Sequence, residues 1–110
     1  MPYIPREDRA RLDPLIDELA AGLNDRAGVA AGDLAAAGLL NYSCTRLALE
    51  VVKLRFGTIR YGVIALVSGV FHNVADELYR RIAHPYEDKQ IARNGDVDLI
   101  AEFAAEIERL

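Results

Sequence analysis

Two stretches of this chain carry polar and charged residues where a plain helical core would not have them. The first is Asn41, Tyr42, Thr45 and Arg46. On a helix, Asn41 and Thr45 are i,i+4 neighbours, and so are Tyr42 and Arg46, so the four side chains form one continuous polar patch between apolar stripes. Such a patch is either a recess for a polar ligand or a hydrogen-bonded contact that fixes helix register or a subunit interface, since buried polar groups are usually satisfied structurally. The second stretch is Tyr79, Arg80 and Arg81, followed by Pro85, Tyr86, Glu87 and Asp88. Guanidinium forks take phosphate or carboxylate, and tyrosine rings stack on a planar base, so paired arginines beside tyrosines suit an anionic, planar ligand. The plainer reading is a solvated charged face, with Asp76 to Arg80 and Glu77 to Arg81 spaced for helical ion pairs. Adjacent arginines point about 100° apart on a helix, so a single phosphate would need help from other helices or another subunit.

Other chemistry is sparse. His72 and Asp76 share a helical face and could supply two metal ligands, with no third in view. Cys44 sits among apolar residues with no histidine partner signalled and reads as a small core residue. There is no glycine-rich phosphate loop and no G-x-S-x-G. All-helical nucleotide pyrophosphohydrolases hold magnesium with E-x-x-E/D pairs, whereas Asp76-Glu77 and Glu87-Asp88 are adjacent pairs with arginines competing for them. A metal-dependent nucleotide hydrolase is therefore the weaker reading, and no catalytic residue, metal ligand or cofactor is assigned.

The elements that must position these residues follow from periodicity. Tyr3 and Ile4, between Pro2 and Pro5, read as an extended lead-in, with a short turn over Arg6 to Leu12. Asp13-Pro14 is a helix start signal. The helix it starts has Leu15, Ile16, Leu19 and Leu23 on one face and ends near Gly22 to Asn24. Arg26 to Gly32 reads as a loop, and Asp33 as the N-cap of a second helix reaching Arg55. In that helix Leu40, Cys44, Leu47, Val51 and Leu54 have the 4-3-4-3 spacing of a coiled-coil seam. Leu39, Leu49 and Val52 add apolar surface around it, so burial over much of the circumference is expected.

Phe56-Gly57-Thr58 breaks the pattern. A third helix runs from about Tyr61 to His84, with Ile64, Val67, Phe71, Val74, Leu78 and Ile82 as its stripe. Gly62 and Gly69 inside it cost about 1 kcal/mol each relative to alanine, and close approach of a neighbouring helix is the expected compensation. Pro85 ends or kinks this helix and starts the turn Pro85 to Arg93, which Asn94-Gly95 stops. Asp96 or Asp98 caps a last helix, Leu99 to Leu110, with Leu99, Ile100, Phe103 and Ile107 on one face. No sheet is expected.

At 110 residues with 52% hydrophobic and 27% charged residues, the composition is globular and the core modest, so burial against another copy would help. A net charge of −4 and a pI near 5.1 argue against duplex nucleic-acid binding, which needs a basic footprint. The opening MPYIPRED has no apolar core segment, so no cleaved leader is expected. The run Gly62 to Phe71 falls far short of the roughly 20 residues that span a bilayer. One cysteine allows no internal disulfide, which fits a reducing cytoplasm.

The opening MPYI-P-x-E-D-R, the segment LNYSCTRL (Leu40 to Leu47) and YRRIAHPYEDKQIARNGDV (Tyr79 to Val97) resemble a family of short bacterial and phage or prophage proteins of unknown function. Its pattern is L-N-Y-x-x-T-R-L, then Y-R-R-x-x-x-P-Y-E-D-x-K-I-x-x-N-G-D-V. The resemblance extends to Val97. The chain departs at Phe71-His72-Asn73, which replaces a more acidic stretch and weakens any metal role for His72, and in the helix after Val97. The resemblance implies no settled activity. Its phage association implies one idea, a helical oligomer that sequesters a signalling nucleotide.

The sequence thus predicts an all-α, compact, oligomeric bundle of four to five helices. One domain spans 1–110, with 1–12 a lead-in and short turn and 96–110 an appended helix. The expected function is a non-enzymatic homo-oligomeric module binding a small anionic ligand such as a nucleotide through Asn41, Tyr42, Thr45, Arg46, Tyr79, Arg80, Arg81 and Tyr86. The alternative is a structural or protein-interaction module in which the same residues make intersubunit contacts.

Overall fold

The computed structural model describes residues 2–29 and 32–110. They form helices α1 (Arg6–Val29), α2 (Asp33–Phe56), α3 (Tyr61–Leu78), α4 (His84–Asn94) and α5 (Asp98–Glu108), with a π-helical turn at Tyr79–Ala83 between α3 and α4. No strand occurs among the described residues, so the chain is all-α. It divides into two compact units, Met1–Phe71 and His72–Leu110, and each is taken separately.

In the first unit α1 and α2 form a helical hairpin and pack on one another. The helix α1 corrects the sequence reading. It is continuous across Pro14, where the sequence suggests a second start, and continues past Gly22 and Asn24. Asp-Pro is a start signal only when the preceding chain is not already helical. Here the helix starts earlier, at Pro5, whose carbonyl accepts from the Arg9 N–H at 3.2 Å. The Arg9 Nε also donates to the Ile4 carbonyl at 2.9 Å, tying down the lead-in. Of the expected loop Arg26 to Gly32, residues 26–29 are the last turn of α1, and Ala30 and Ala31 lie outside the described residues. Gly32, not Asp33, is the cap of α2; Asp33 is in its first turn, where a carboxylate favours the positive end of the helix dipole.

The contacts of α2 change side along its length. Its half-buried or buried residues are Ala35, Leu39 and Ser43 in the first half and Ala48, Val52 and Phe56 in the second. At 100° per residue the two runs lie on sides of the helix roughly 140° apart. The first run faces the hairpin partner α1, whose Leu23 and Ala27 are likewise half-buried. The second borders α3, which contributes Val63 and Val67. Among the described residues only Val52 (6% exposed) and Val63 (2%) are buried apolar side chains. The seam Leu40, Cys44, Leu47, Val51, Leu54 lies between the two runs and is exposed throughout. Burial around most of α2 is thus not realised among the described residues of the first unit. At the end of α2, Gly57 adopts φ 76° and its N–H reaches the carbonyls of Val52 and Lys53, a left-handed cap that favours glycine. The Arg60 guanidinium then lies 6.0 Å from the Phe56 ring centre.

The close neighbours expected at Gly62 and Gly69 are not found among the described residues: a Cβ at either would meet nothing within 4 Å.

In the second unit, the sequence reading of one helix from Tyr61 to His84 is corrected by the π-turn. The His84 N–H reaches the Tyr79 carbonyl, a span of five residues where an α-helix spans four. Pro85 supplies the reason. It has no N–H to give and its ring would collide with the carbonyl four residues back. Widening one turn ahead of it lets the helix go on, with Pro85 in the first turn of α4. Gly95 (φ 87°) ends α4, its N–H donating to Ile91 at 2.8 Å, where Asn94-Gly95 is expected to stop it. The following α5 starts at Asp98 after an extended Val97, within a residue of expectation. Its stripe Leu99, Ile100, Phe103 and Ile107 is exposed.

Candidate functional site

The first polar patch is carried by α2 alone. Thr45 does not bond the Asn41 side chain. Its hydroxyl donates to the Asn41 backbone carbonyl at 2.8 Å, the local bond that threonine makes inside helices. Arg46 reaches toward the next turn, where its Nη2 lies 3.5 Å from the Glu50 carboxylate. Asn41, Tyr42 and Thr45 line a recess of about 510 Å³ with Ala37 and Gly38. All five belong to one helix, so the recess is a groove along a helix surface and lacks an opposite wall. Gly38 opens it by having no side chain. Arg46 borders a second groove of about 260 Å³ with Tyr42, Thr45, Leu49, Glu50 and Lys53, again from α2 only. Tyr42 is 63% exposed, so its ring is available for stacking, and no ring contact is made to it among the described residues.

The second cluster sits on and after the π-turn. Tyr79, Arg80 and Arg81 are three of its five residues, and Tyr86 lies in the first turn of α4. The expected i,i+4 spacing is not the one that the close ion pair here adopts. Arg80 instead takes Glu77 three residues back, with Nη2 at 2.6 Å and Nε at 3.2 Å from the two carboxylate oxygens. The wider turn alters the rotational offset between residues before and after Tyr79, so α-helical i,i+4 partners no longer stack. Tyr79 meets the His84 ring edge-on, centres 5.4 Å apart. Arg81 and Tyr86 are exposed. Thus one arginine is already engaged in a two-pronged carboxylate pair, and the neighbouring guanidinium points elsewhere. His72 and Asp76 gain no third metal-ligating partner among the described residues.

Residues 1–97 match the model of a family described as a domain of unknown function (DUF6899). The chain belongs to that family. The matched region contains both polar clusters and stops one residue before α5, so the last helix is an addition to the family region. No curated protein and no solved structure matches the chain. Among the described residues no helix is long and apolar enough to cross a membrane.

One feature of the family region is apolar, and polar-residue spacing gave no signal of it. Between α2 and the first part of α3 lies a cleft of about 290 Å³, lined by Cys44, Leu47, Ala48, Val51, Val67, Val70 and Phe71. Three of these belong to the α2 seam, and Val67 and Phe71 belong to the α3 stripe. The signal in the sequence was the heptad spacing, which says that a partner helix fits and leaves open which helix it is.

Proposed function

We propose that the protein is a non-enzymatic, self-associating helical module that acts through contacts between its apolar faces. The observation that carries this is the seam of α2: Leu40, Cys44, Leu47, Val51 and Leu54 fall at heptad spacing on one side of the helix, and in the first unit all five are exposed. A cleft of about 290 Å³ lined by apolar residues and Cys44 adjoins the seam, and contiguous apolar surface of this kind marks interaction sites. The test is multi-angle light scattering at micromolar concentration. A mass at a whole-number multiple of the chain is expected, and a single-chain mass overturns the reading.

A second reading, a small anionic ligand such as a nucleotide, is favoured by the groove at Asn41, Tyr42 and Thr45 with Arg46 one turn away. It needs a second wall that α2 does not supply. A thermal melt with a panel of nucleotides separates the two readings. A ligand at about 100 times its dissociation constant adds about 2.7 kcal/mol, a shift on the order of 10 °C for a domain of this size. A flat panel leaves the interaction module as the reading. A large shift that both Arg46→Ala and Arg80→Ala abolish supports the ligand.

A further inference from the structure

We infer that the seam of α2, together with the cleft beside it, is a two-fold interface that takes the α2 seam of a second copy, running antiparallel. This rests on the self-association proposed above and names its surface. Leu40, Cys44, Leu47, Val51 and Leu54 keep heptad spacing over two heptads, the pattern that places apolar knobs into the holes of a facing helix. Among the described residues of the first unit that seam is unused: α1 covers one side of α2 and α3 borders another, and Leu47, at the centre of the seam, stays 56% exposed. The cleft next to it is lined only by apolar residues and cysteine, so it offers a hole and no polar group that a knob would strand. The flanking Asn41, Ser43 and Ala48 are small enough to let helix axes approach to about 8–10 Å.

Direction follows from charge. The helix α2 begins with Asp33 and ends with Lys53 and Arg55. A parallel pair would stack the basic ends and align the helix dipoles, whereas an antiparallel pair sets Asp33 of each copy beside Arg55 of the other. Antiparallel heptads pair alternate seam positions. A two-fold axis between Thr45 and Arg46 then puts Cys44 against the partner's Leu47, Leu40 against the partner's Val51, and Ala37 against the partner's Leu54. The occupant is a second copy because the seam is self-complementary under that axis, apolar against apolar along its length and acidic against basic at its two ends.

The test uses the full chain and its single thiol. With Cys44 near the axis, a short bis-maleimide should capture most wild-type chains as covalent dimers at micromolar concentration, and Cys44→Ser should abolish capture. Leu47→Glu should halve the light-scattering mass or more and reduce capture at least tenfold, with far-UV circular dichroism retained. Should the charged variant lose its helix content, capture of the wild type decides by itself. An oligomeric wild type that resists capture, or an oligomeric mass unchanged in a folded Leu47→Glu, overturns this interface and leaves self-association standing. A single-chain wild-type mass overturns both.

Discussion

The helix α2 and the stretch from α3 through α4 both carry an arginine that a nearby carboxylate engages, yet they obey different rules. In α2 the helix is uninterrupted for 24 residues, and Arg46 meets Glu50 at regular i,i+4 spacing. In the other stretch the π-turn intervenes, and Arg80 meets Glu77 at i,i+3 in place of Asp76. Residue spacing therefore locates neighbours in the first region and misplaces them in the second. The cause is one proline, Pro85, whose effect is felt a full turn upstream. Polar clusters also occupy the two regions differently. On α2 the patch centred on Asn41 and Thr45 borders the apolar seam, sharing a groove of about 400 Å³ with Leu40 and Cys44, so association through the seam sets it at the rim of the contact. At the π-turn, polar and aromatic groups crowd the irregularity itself, a setting in which functional sites are often found.

The comparison is broken most severely by attacking the few side chains that α2 and α3 do bury. Val52→Asp strands an unpaired carboxylate where the residue is 6% exposed, and should cost about 3 kcal/mol or more. Leu34→Asp, on the same helix at 89% exposure, should change stability by no more than about 0.5 kcal/mol. Urea unfolding of the two variants measures the difference. Equal effects would mean that Val52 is no more essential to the fold than a surface residue.

Backbone conformation gives the next effect in size, and its sign differs between positions. Gly57→Ala and Gly95→Ala force a Cβ into positive φ and should each destabilise by about 1 kcal/mol. Gly69→Ala adds a Cβ into open space inside a regular helix, and should stabilise an isolated chain by about 0.5–1 kcal/mol. If Gly69→Ala is destabilising, a helix from another copy approaches α3 there, and the close packing expected from the sequence exists between chains.

A third measurement bears on the π-turn directly. In Pro85→Ala the obstacle to regular α geometry is gone. The turn should relax toward four-residue spacing, with a stability gain on the order of 1 kcal/mol. Amide hydrogen exchange should show stronger protection over residues 79–85. Unchanged protection would show that the π-turn is set by its surroundings and that Pro85 merely tolerates it.

What the sequence made legible follows the same division. Helix existence, the break at Gly57, the stop at Gly95 and the start near Asp98 were readable, because each rests on local chemistry that no distant contact overrides. Pro14 misled because Asp-Pro carries the same signature at a helix start and within an existing helix. The π-turn was illegible because periodicity assumes a constant rotation per residue. The α2 seam was legible as an apolar stripe, and in the first unit it is exposed. Apolar spacing states how much surface must be covered. It is silent on whether a neighbouring helix of the same chain reaches it, and here α1 and α3 take the two flanking faces. For the site, the clusters themselves were legible, while their partners were not: Thr45 turned to its own backbone, and Arg46 and Arg80 to their own helices' glutamates.

The smallest effect distinguishes the two arginines. Both ion pairs are solvent-exposed to a degree that limits them to about 1 kcal/mol or less, but they are not equal. The Arg80–Glu77 contact is two-pronged, and Glu77 retains only 25% of its side-chain exposure, against 47% for Glu50 in a single 3.5 Å contact. Bidentate geometry fixes orientation as well as distance, so a double-mutant cycle should give about 0.5–1 kcal/mol for Arg80 with Glu77 and about 0.3 kcal/mol for Arg46 with Glu50. Lysine at each position discriminates further. Arg80→Lys should lose most of its coupling because an ammonium cannot form the fork, whereas Arg46→Lys should lose little. If the lysine replacements behave alike, the fork carries no energetic weight of its own and the two arginines are held equally weakly.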